Sequence, residues 1–199
     1  MIVTKNWLVK FTAIAGPSAS GKTTLANLLK KMLGSDETII LNQDNYYKDF
    51  SYLNKVERKK INFDSIRSFD LVLLAKHLQS LKYGTPVYIP FYDFVQSKRL
   101  KKTRKIVAKK FILVEGLIPF FDKKLRELFD YKFYIDSDNA ICLARRLKRD
   151  TKERGDSIET VCKRYFEDVL PMQKRYVEPQ KKWADLVINL DSSALRASE

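Results

Sequence analysis

The run Gly16-Pro17-Ser18-Ala19-Ser20-Gly21-Lys22-Thr23 constrains this chain more than any other stretch. It has the form G-x-x-x-x-G-K-T, and each fixed residue answers to phosphate chemistry. The glycines let the backbone turn so that its N–H groups converge on an anion. A lysine at position 22 then reaches the β- and γ-phosphates, and a hydroxyl at position 23 holds Mg²⁺. A helix starting near Gly21 would aim its positive end at the same charge. The flanks agree. Lys10 to Ala15 is β-rich, and Thr24 to Leu33 is a good helical run, so the order is strand, loop, helix.

Charge and composition narrow the partners. The chain has 199 residues, a length that predicts one domain over 1–199. Hydrophobic content of 45% with 31% charged residues predicts a soluble globular protein. No apolar run approaches membrane-spanning length, and the first seven residues lack a secretory h-region, so the expected location is cytoplasmic, with no membrane partner. Cys142 and Cys162 have no metal-ligand spacing and read as reduced packing thiols. A net charge of +14 favours anionic ligands. The densest basic stretch runs from Lys98 to Lys105, with Lys109 and Lys110 beyond it. It lacks the interleaved aromatics of a stacking platform, so a solvated surface is expected there rather than a nucleic-acid site.

The elements alternate in a βαβ manner. Strands are expected at Lys10 to Ala15, Glu37 to Asn42, Phe111 to Val114, Lys132 to Ile135 and Asp185 to Ile188. Helices are expected after the phosphate loop, from near Ser68 to Leu81, over Asn139 to Arg149 and over Ser157 to Leu170. Asp156 and Glu159 have the spacing of a capping box for the last of these. Val87 to Val95 and Arg104 to Val107 read as a hairpin around the basic stretch. Five strands alternating with helices predict a three-layer α/β fold with a parallel sheet. Ligands of such sheets bind beyond the carboxyl ends of the strands, where Asp44, Glu115 and the phosphate loop should converge.

Phosphoryl transfer needs phosphate positioning, a metal, charge neutralisation and an oriented nucleophile. The loop supplies the first. Thr23 and the strand-end acid Glu115 are candidate metal ligands. Asp44 is a second strand-end acid, suited to accepting a hydroxyl proton. Arg145, Arg146, Arg149 and Arg154 crowd a basic run that ends at Gly155. A solvated helix face is the usual meaning of such a run. Beside a triphosphate the spacing also suits a closing lid, with Arg146 and Arg149 on one face. The sole histidine, His77, flanks the Leu74/Leu78/Leu81 stripe and reads as a helix-edge residue.

The ordered motifs resemble the uridine kinase (uridine–cytidine kinase) family of P-loop kinases. They are Gly16 to Thr24, Asn42-Gln43-Asp44-Asn45-Tyr46-Tyr47-Lys48, Ile61-Asn62-Phe63-Asp64, Ile89 to Val95, Val114-Glu115-Gly116, Arg145 to Asp150 with Glu153-Arg154-Gly155, and Lys181 to Asp185. The resemblance implies transfer of the ATP (or GTP) γ-phosphate to the 5′-hydroxyl of uridine or cytidine. It implies that Gly16, Ser18, Ala19, Ser20, Gly21, Lys22, Thr23 and Thr24 hold ATP, with Arg149 and Arg154 on its phosphates. Asp44 would be the base and, with Thr23 and Glu115, would surround Mg²⁺. Lys22 and Arg149 would join it in catalysis. Asp64 would hold the ribose, and Tyr47, Phe63, Tyr92, Ser97 and Arg146 would complete the nucleoside site. A hairpin over about 85–110, a lid over about 146–157 and a homo-oligomer, tetramer or dimer, are also implied.

Two positions depart from the family pattern. Ser97 stands where the family usually has a histidine that bonds the pyrimidine edge, and Asp156 stands where the lid usually has another arginine. Two further readings therefore stay open. One is a related kinase acting on pantothenate, phosphoribulose or nicotinamide riboside. The other is a nucleotide-dependent nucleic-acid-binding protein using 98–110.

Overall fold

The computed structural model describes residues 8–94 and 96–191. The N-terminal stretch 1–7 and Val95, the last residue of an expected strand, lie outside them. Five strands form one parallel sheet: β1 (Lys10–Ala15), β2 (Thr38–Asn42), β5 (Phe111–Gly116), β6 (Tyr131–Asp136) and β7 (Leu186–Asn189), in the order β2-β5-β1-β6-β7. The central strands are apolar along their length because both faces are covered. In β1 and β5 every residue after the first is buried. Helices α1 (Lys22–Leu33), α2 (Lys55–Lys59), α3 (Leu71–Lys82), α4 (Lys123–Arg126), α5 (Asn139–Glu153) and α6 (Ile158–Arg164) fill the connections. Among the described residues, no helix is long and apolar enough to cross a membrane.

Register explains how one end of the sheet becomes a site. Asn42 pairs with Glu115, and Ala15 pairs with both Gly116 and Tyr134. The carboxyl ends of β1, β2 and β5 therefore stop at the same level. The phosphate loop, Asp44 and Glu115 leave the sheet side by side, as the sequence predicts.

That level is tightly packed. Gln43 is fully buried, and its Oε1 accepts from Ile118 N at 2.9 Å. A Cβ on Gly116 would lie 2.4 Å from the Gln43 side chain. Gly116→Ala is therefore expected to lower stability by about 1–3 kcal/mol, read as a lower midpoint in thermal or urea unfolding.

Four local expectations are corrected. The hairpin pairs β3 (Val87–Asp93) with β4 (Lys98–Ile106), so the basic stretch is itself a strand and not the connection between strands. Lys101 to Lys105 are exposed, and Arg99 instead turns inward to the Tyr47 carbonyl and Asp70. α3 starts at Leu71, because Asp70 caps it by accepting from Leu73 N. The capping box at Asp156 and Glu159 does not form. Ser157 caps α6 by accepting from Thr160 N, and Asp156 pairs with Arg164 at 3.0 Å. The chain stays helical beyond Leu170, as far as Trp183, with widened turns at Tyr165–Val169 and Gln173–Val177 on either side of Pro171. Proline has no N–H to donate, and wide turns relieve the lost bond.

Cys142 is buried and Cys162 half-buried, and both are free thiols on helices. His77 sits at the edge of the Leu74/Leu78/Leu81 stripe, 3.1 Å from the Tyr46 hydroxyl, and burial holds its pKa below the usual value.

Candidate active site

A cleft of about 1330 Å³ opens beyond the carboxyl ends of the strands. Apart from Gly16, every residue that the sequence assigns to the site lines it. Gly16 works from behind. Its φ is +152°, and a Cβ there would meet the Ile135 carbonyl oxygen at 2.6 Å. Only glycine lets the loop begin this close to β6. Gly21, at φ +103°, turns the chain into α1.

Lys22 is buried, and its Nζ donates to the Pro17 carbonyl, 2.5 Å away. Burial lowers its pKa, while Glu115 and Asp44 act to raise it. The ammonium thus lies in the field of two acids and is folded back on its own loop. Glu115 is 3% exposed and accepts from the Thr23 hydroxyl at 3.3 Å. Burial pushes its pKa up to about 7, against Lys22, which pulls the other way. Burial also raises Asp44, opposed by the charges of Lys22, Arg154, Arg149 and Arg146.

These acids make the ligand-free protein pH-sensitive. Glu115 titrates near 7 when folded and near its ordinary 4.5 when unfolded. Between those values the folded state binds more protons, so its stabilising effect is full below 4.5 and lost as pH rises through 7. Melting without ligand is expected to fall by on the order of 5 °C between pH 5 and pH 8, and Glu115→Gln should flatten the slope. A Gln variant with an unchanged slope would show that Glu115 is ionised throughout.

Thr23, Asp44 and Glu115 offer only hard oxygen donors, the type Mg²⁺ takes. Thr23 is the only hydrogen-bond donor to the Glu115 carboxylate among the described residues. With one donor on it, and Lys22 acting through its charge alone, the carboxylate keeps lone pairs for a cation beside it. Among the described residues, no group of three or more His, Cys, Asp or Glu is gathered as a protein-only metal cage. A cation here would draw the rest of its shell from water and phosphate.

The far end of the cleft is aromatic. Tyr47 stacks on Phe69 at 4.4 Å and meets Phe63, Tyr92 and Phe94 at 5.4, 5.1 and 6.3 Å. Asp64 closes this wall. Burial raises its pKa, and Arg146, 3.8 Å away, pulls it down. Its backbone N–H is pinned by Asn62 Oδ1 at 3.0 Å, and Asn62 also donates to Asp168. A flat ring with a polar, hydroxyl-rich side would fit between these walls.

Cleft, loop and acids coincide with a match along almost the whole chain: residues 11–195 fit the phosphoribulokinase / uridine kinase family. The chain belongs to that family. A uridine kinase of Clostridium perfringens is 40% identical over 178 residues, 89% of this chain and 86% of that one. A uridine kinase of Staphylococcus epidermidis is 43% identical over 175 residues, covering 88% and 84%. A phosphoribulokinase of Rhodobacter spheroides has the same fold, with TM-score 0.66 at 14% identity over 92% of this chain and 70% of that one.

Against that family pattern, the two departures face the cleft. Ser97 has φ +50° and, among the described residues, its hydroxyl makes one long contact, 3.5 Å, to the Phe94 carbonyl. Asp156 and Arg164 both line the cleft and neutralise each other. Three residues that the sequence does not mark for the site lie in or beside the cleft: Arg58, Asp168 and Asp150. Arg58 and Asp168 line the cleft, and Asp150 lies behind its arginines. The motif spacing carries no mark for Arg58 or Asp168. Asp150 sits in the basic run as an ordinary helix-face charge.

Proposed function

We propose that this chain transfers the γ-phosphate of ATP to the 5′-hydroxyl of uridine or cytidine. One observation carries the reading. A phosphate loop and an aromatic wall share one cleft, and Asp44 lines it within the electrostatic reach of Lys22 on one side and Tyr47 and Asp64 on the other. Identity of about 40% to two proteins named uridine kinase supports the same acceptor.

In this reading the loop N–H groups and Lys22 hold the β- and γ-phosphates. Arg149 and Arg154 neutralise charge on the transferring group. Thr23, Asp44 and Glu115 would hold Mg²⁺, which would supply further charge neutralisation. Asp64 and Arg146 hold the ribose 2′- and 3′-hydroxyls. Tyr47, Phe63 and Tyr92 sandwich the base, which presents the 5′-oxygen to Asp44. Asp44 takes the hydroxyl proton as the oxygen attacks phosphorus, and ADP leaves with the electron pair of the broken bond. The buried, aromatic setting keeps water from competing for the phosphoryl group. The protein would work in the cytoplasm as a homo-oligomer, with ATP or GTP as donor.

The experiment is a labelled-donor assay with uridine, cytidine, purine ribonucleosides, pantothenate and phosphoribulose. Label in UMP or CMP supports the reading. Label only in pantothenate or phosphoribulose moves the acceptor elsewhere in the family.

Ser97 gives a second handle. Its positive φ is a conformation in which histidine is enriched among non-glycine residues. Ser97→His should therefore fold, and its imidazole can span the gap to the pyrimidine edge. A gain of about 10-fold in kcat/KM for uridine or cytidine is expected, as one added hydrogen bond allows. No gain would mean that this turn does not read the base.

A further inference from the structure

Three arginines of the cleft converge on one acid. Asp150 lies in α5 and is 2% exposed. Its Oδ2 is 3.1 Å from Arg146 Nε, and its Oδ1 is 2.8 Å from Arg149 Nε and 3.5 Å from Arg154 Nε. All three contacts fall on Nε, the inner corner of each guanidinium; that to Arg149 is a hydrogen bond, and those to Arg146 and Arg154 are ion-pair contacts without one. The two terminal nitrogens of each arginine are left for other partners. Arg146 turns one of them toward Asp64, and all three side chains line the cleft. The Asp150 carbonyl also accepts from the backbone N–H of Arg154 and of Asp156, each at 3.2 Å. The segment that carries Arg154 therefore turns about the same residue, with Gly155 at φ +71°.

One carboxylate against three guanidinium groups leaves positive charge uncompensated, facing the place where the loop brings phosphates. Long arginine side chains lose much rotational freedom when fixed, and a buried common anchor removes it before substrate arrives. We propose that Asp150 is a positioning residue. It holds Arg146, Arg149 and Arg154 by their Nε corners, so that their terminal nitrogens meet the transferring phosphoryl group and the acceptor. Burial raises the Asp150 pKa, but the Arg149 hydrogen bond and the three positive charges outweigh it, so the carboxyl stays below the usual range and charged.

The inference rests on the kinase reading, and wild-type transfer to a nucleoside is measured first so that the two can fail separately. With that in hand, Asp150→Asn and Asp150→Glu are compared for kcat, KM for ATP, Mg²⁺ half-saturation and thermal midpoint. Asparagine removes the charge. Glutamate keeps it but moves it by about one methylene, and misplacements on the order of 1 Å cost about 10²-fold in rate. Both variants are expected to lose about 10²-fold in kcat, with KM for ATP within about 5-fold. If Asp150 only neutralises buried charge, glutamate restores full kcat, and the proposal falls. A Mg²⁺ requirement raised by more than about 10-fold would make Asp150 a metal ligand instead.

The asparagine variant leaves three arginines without their anchor and is the one at risk of not folding. The glutamate variant then decides alone. A double-mutant cycle adds a readout that a structural role does not move. In an Arg149→Lys background, the second substitution should cost clearly less than it does in wild type, because the part that acts through Arg149 is already lost. Fully additive losses would overturn the proposal.

Discussion

Asp44→Asn is expected to lower kcat by about 10³-fold while leaving ATP affinity within a few-fold, since positioned base catalysis contributes about 10²–10⁴-fold. Asp44 follows directly after β2, fixed by a backbone bond from its N–H to Asn42 Oδ1 at 2.7 Å. The amide has nearly the same shape, so the backbone has no reason to move. It cannot accept the hydroxyl proton as a carboxylate does. Removing a buried carboxylate next to Lys22 also relieves desolvation, so the variant should fold at least as well near neutral pH. Steady-state kinetics and calorimetric titration with ATP read the two effects apart. An active asparagine variant would remove Asp44 as the base.

Lys22→Met is expected to cost about 10³-fold or more in kcat/KM for ATP, the scale of losing a preorganised charge in a water-poor site. Its effect on stability should run the other way. Lys22 is 8% exposed, and burial depresses its pKa despite two neighbouring acids. In the ligand-free protein it is a charge held at a cost, satisfied only through the Pro17 carbonyl and the two acids. Methionine of similar length removes that cost. The variant should melt no lower than wild type at pH 6, where Glu115, with a pKa of about 7, is mostly protonated. A large fall in the melting midpoint would instead make Lys22 part of the structural framework. Such a pairing of lost activity with kept stability is what a strained functional group leaves behind.

The parts of the fold that were legible from the sequence are those with local causes. Apolar runs such as Phe111 to Val114 mark buried strands, and the glycine-lysine spacing marks the loop. Together these yield the parallel sheet and the placement of Asp44 and Glu115. Of β4, only the end from Arg104 was legible; the part from Lys98 to Thr103 was hidden because it has no apolar face. Lys101 to Lys105 are exposed, and its partner β3 fixes the pairing rather than its own composition. Asp156 and Ser157 are adjacent and chemically interchangeable as caps. The choice falls to Ser157 only because Arg164 claims the Asp156 carboxylate. The expected helix ends at Leu170, yet the chain passes through Pro171 by widening its turns. Asp150 is the clearest gap between sequence and site. An acid in a run of arginines looks like surface charge balance, and only the folded arrangement brings three Nε atoms to it.

The acceptor remains the defining feature, and one measurement addresses it. The full-length protein is incubated with Mg²⁺, γ-labelled ATP and uridine or cytidine, with 5′-deoxyuridine as the control. Label is expected in UMP and CMP at the 5′-oxygen, with none on the 5′-deoxy compound. A protein that binds Mg·ATP yet labels no ribonucleoside would contradict the reading of this cleft as a nucleoside 5′-kinase site.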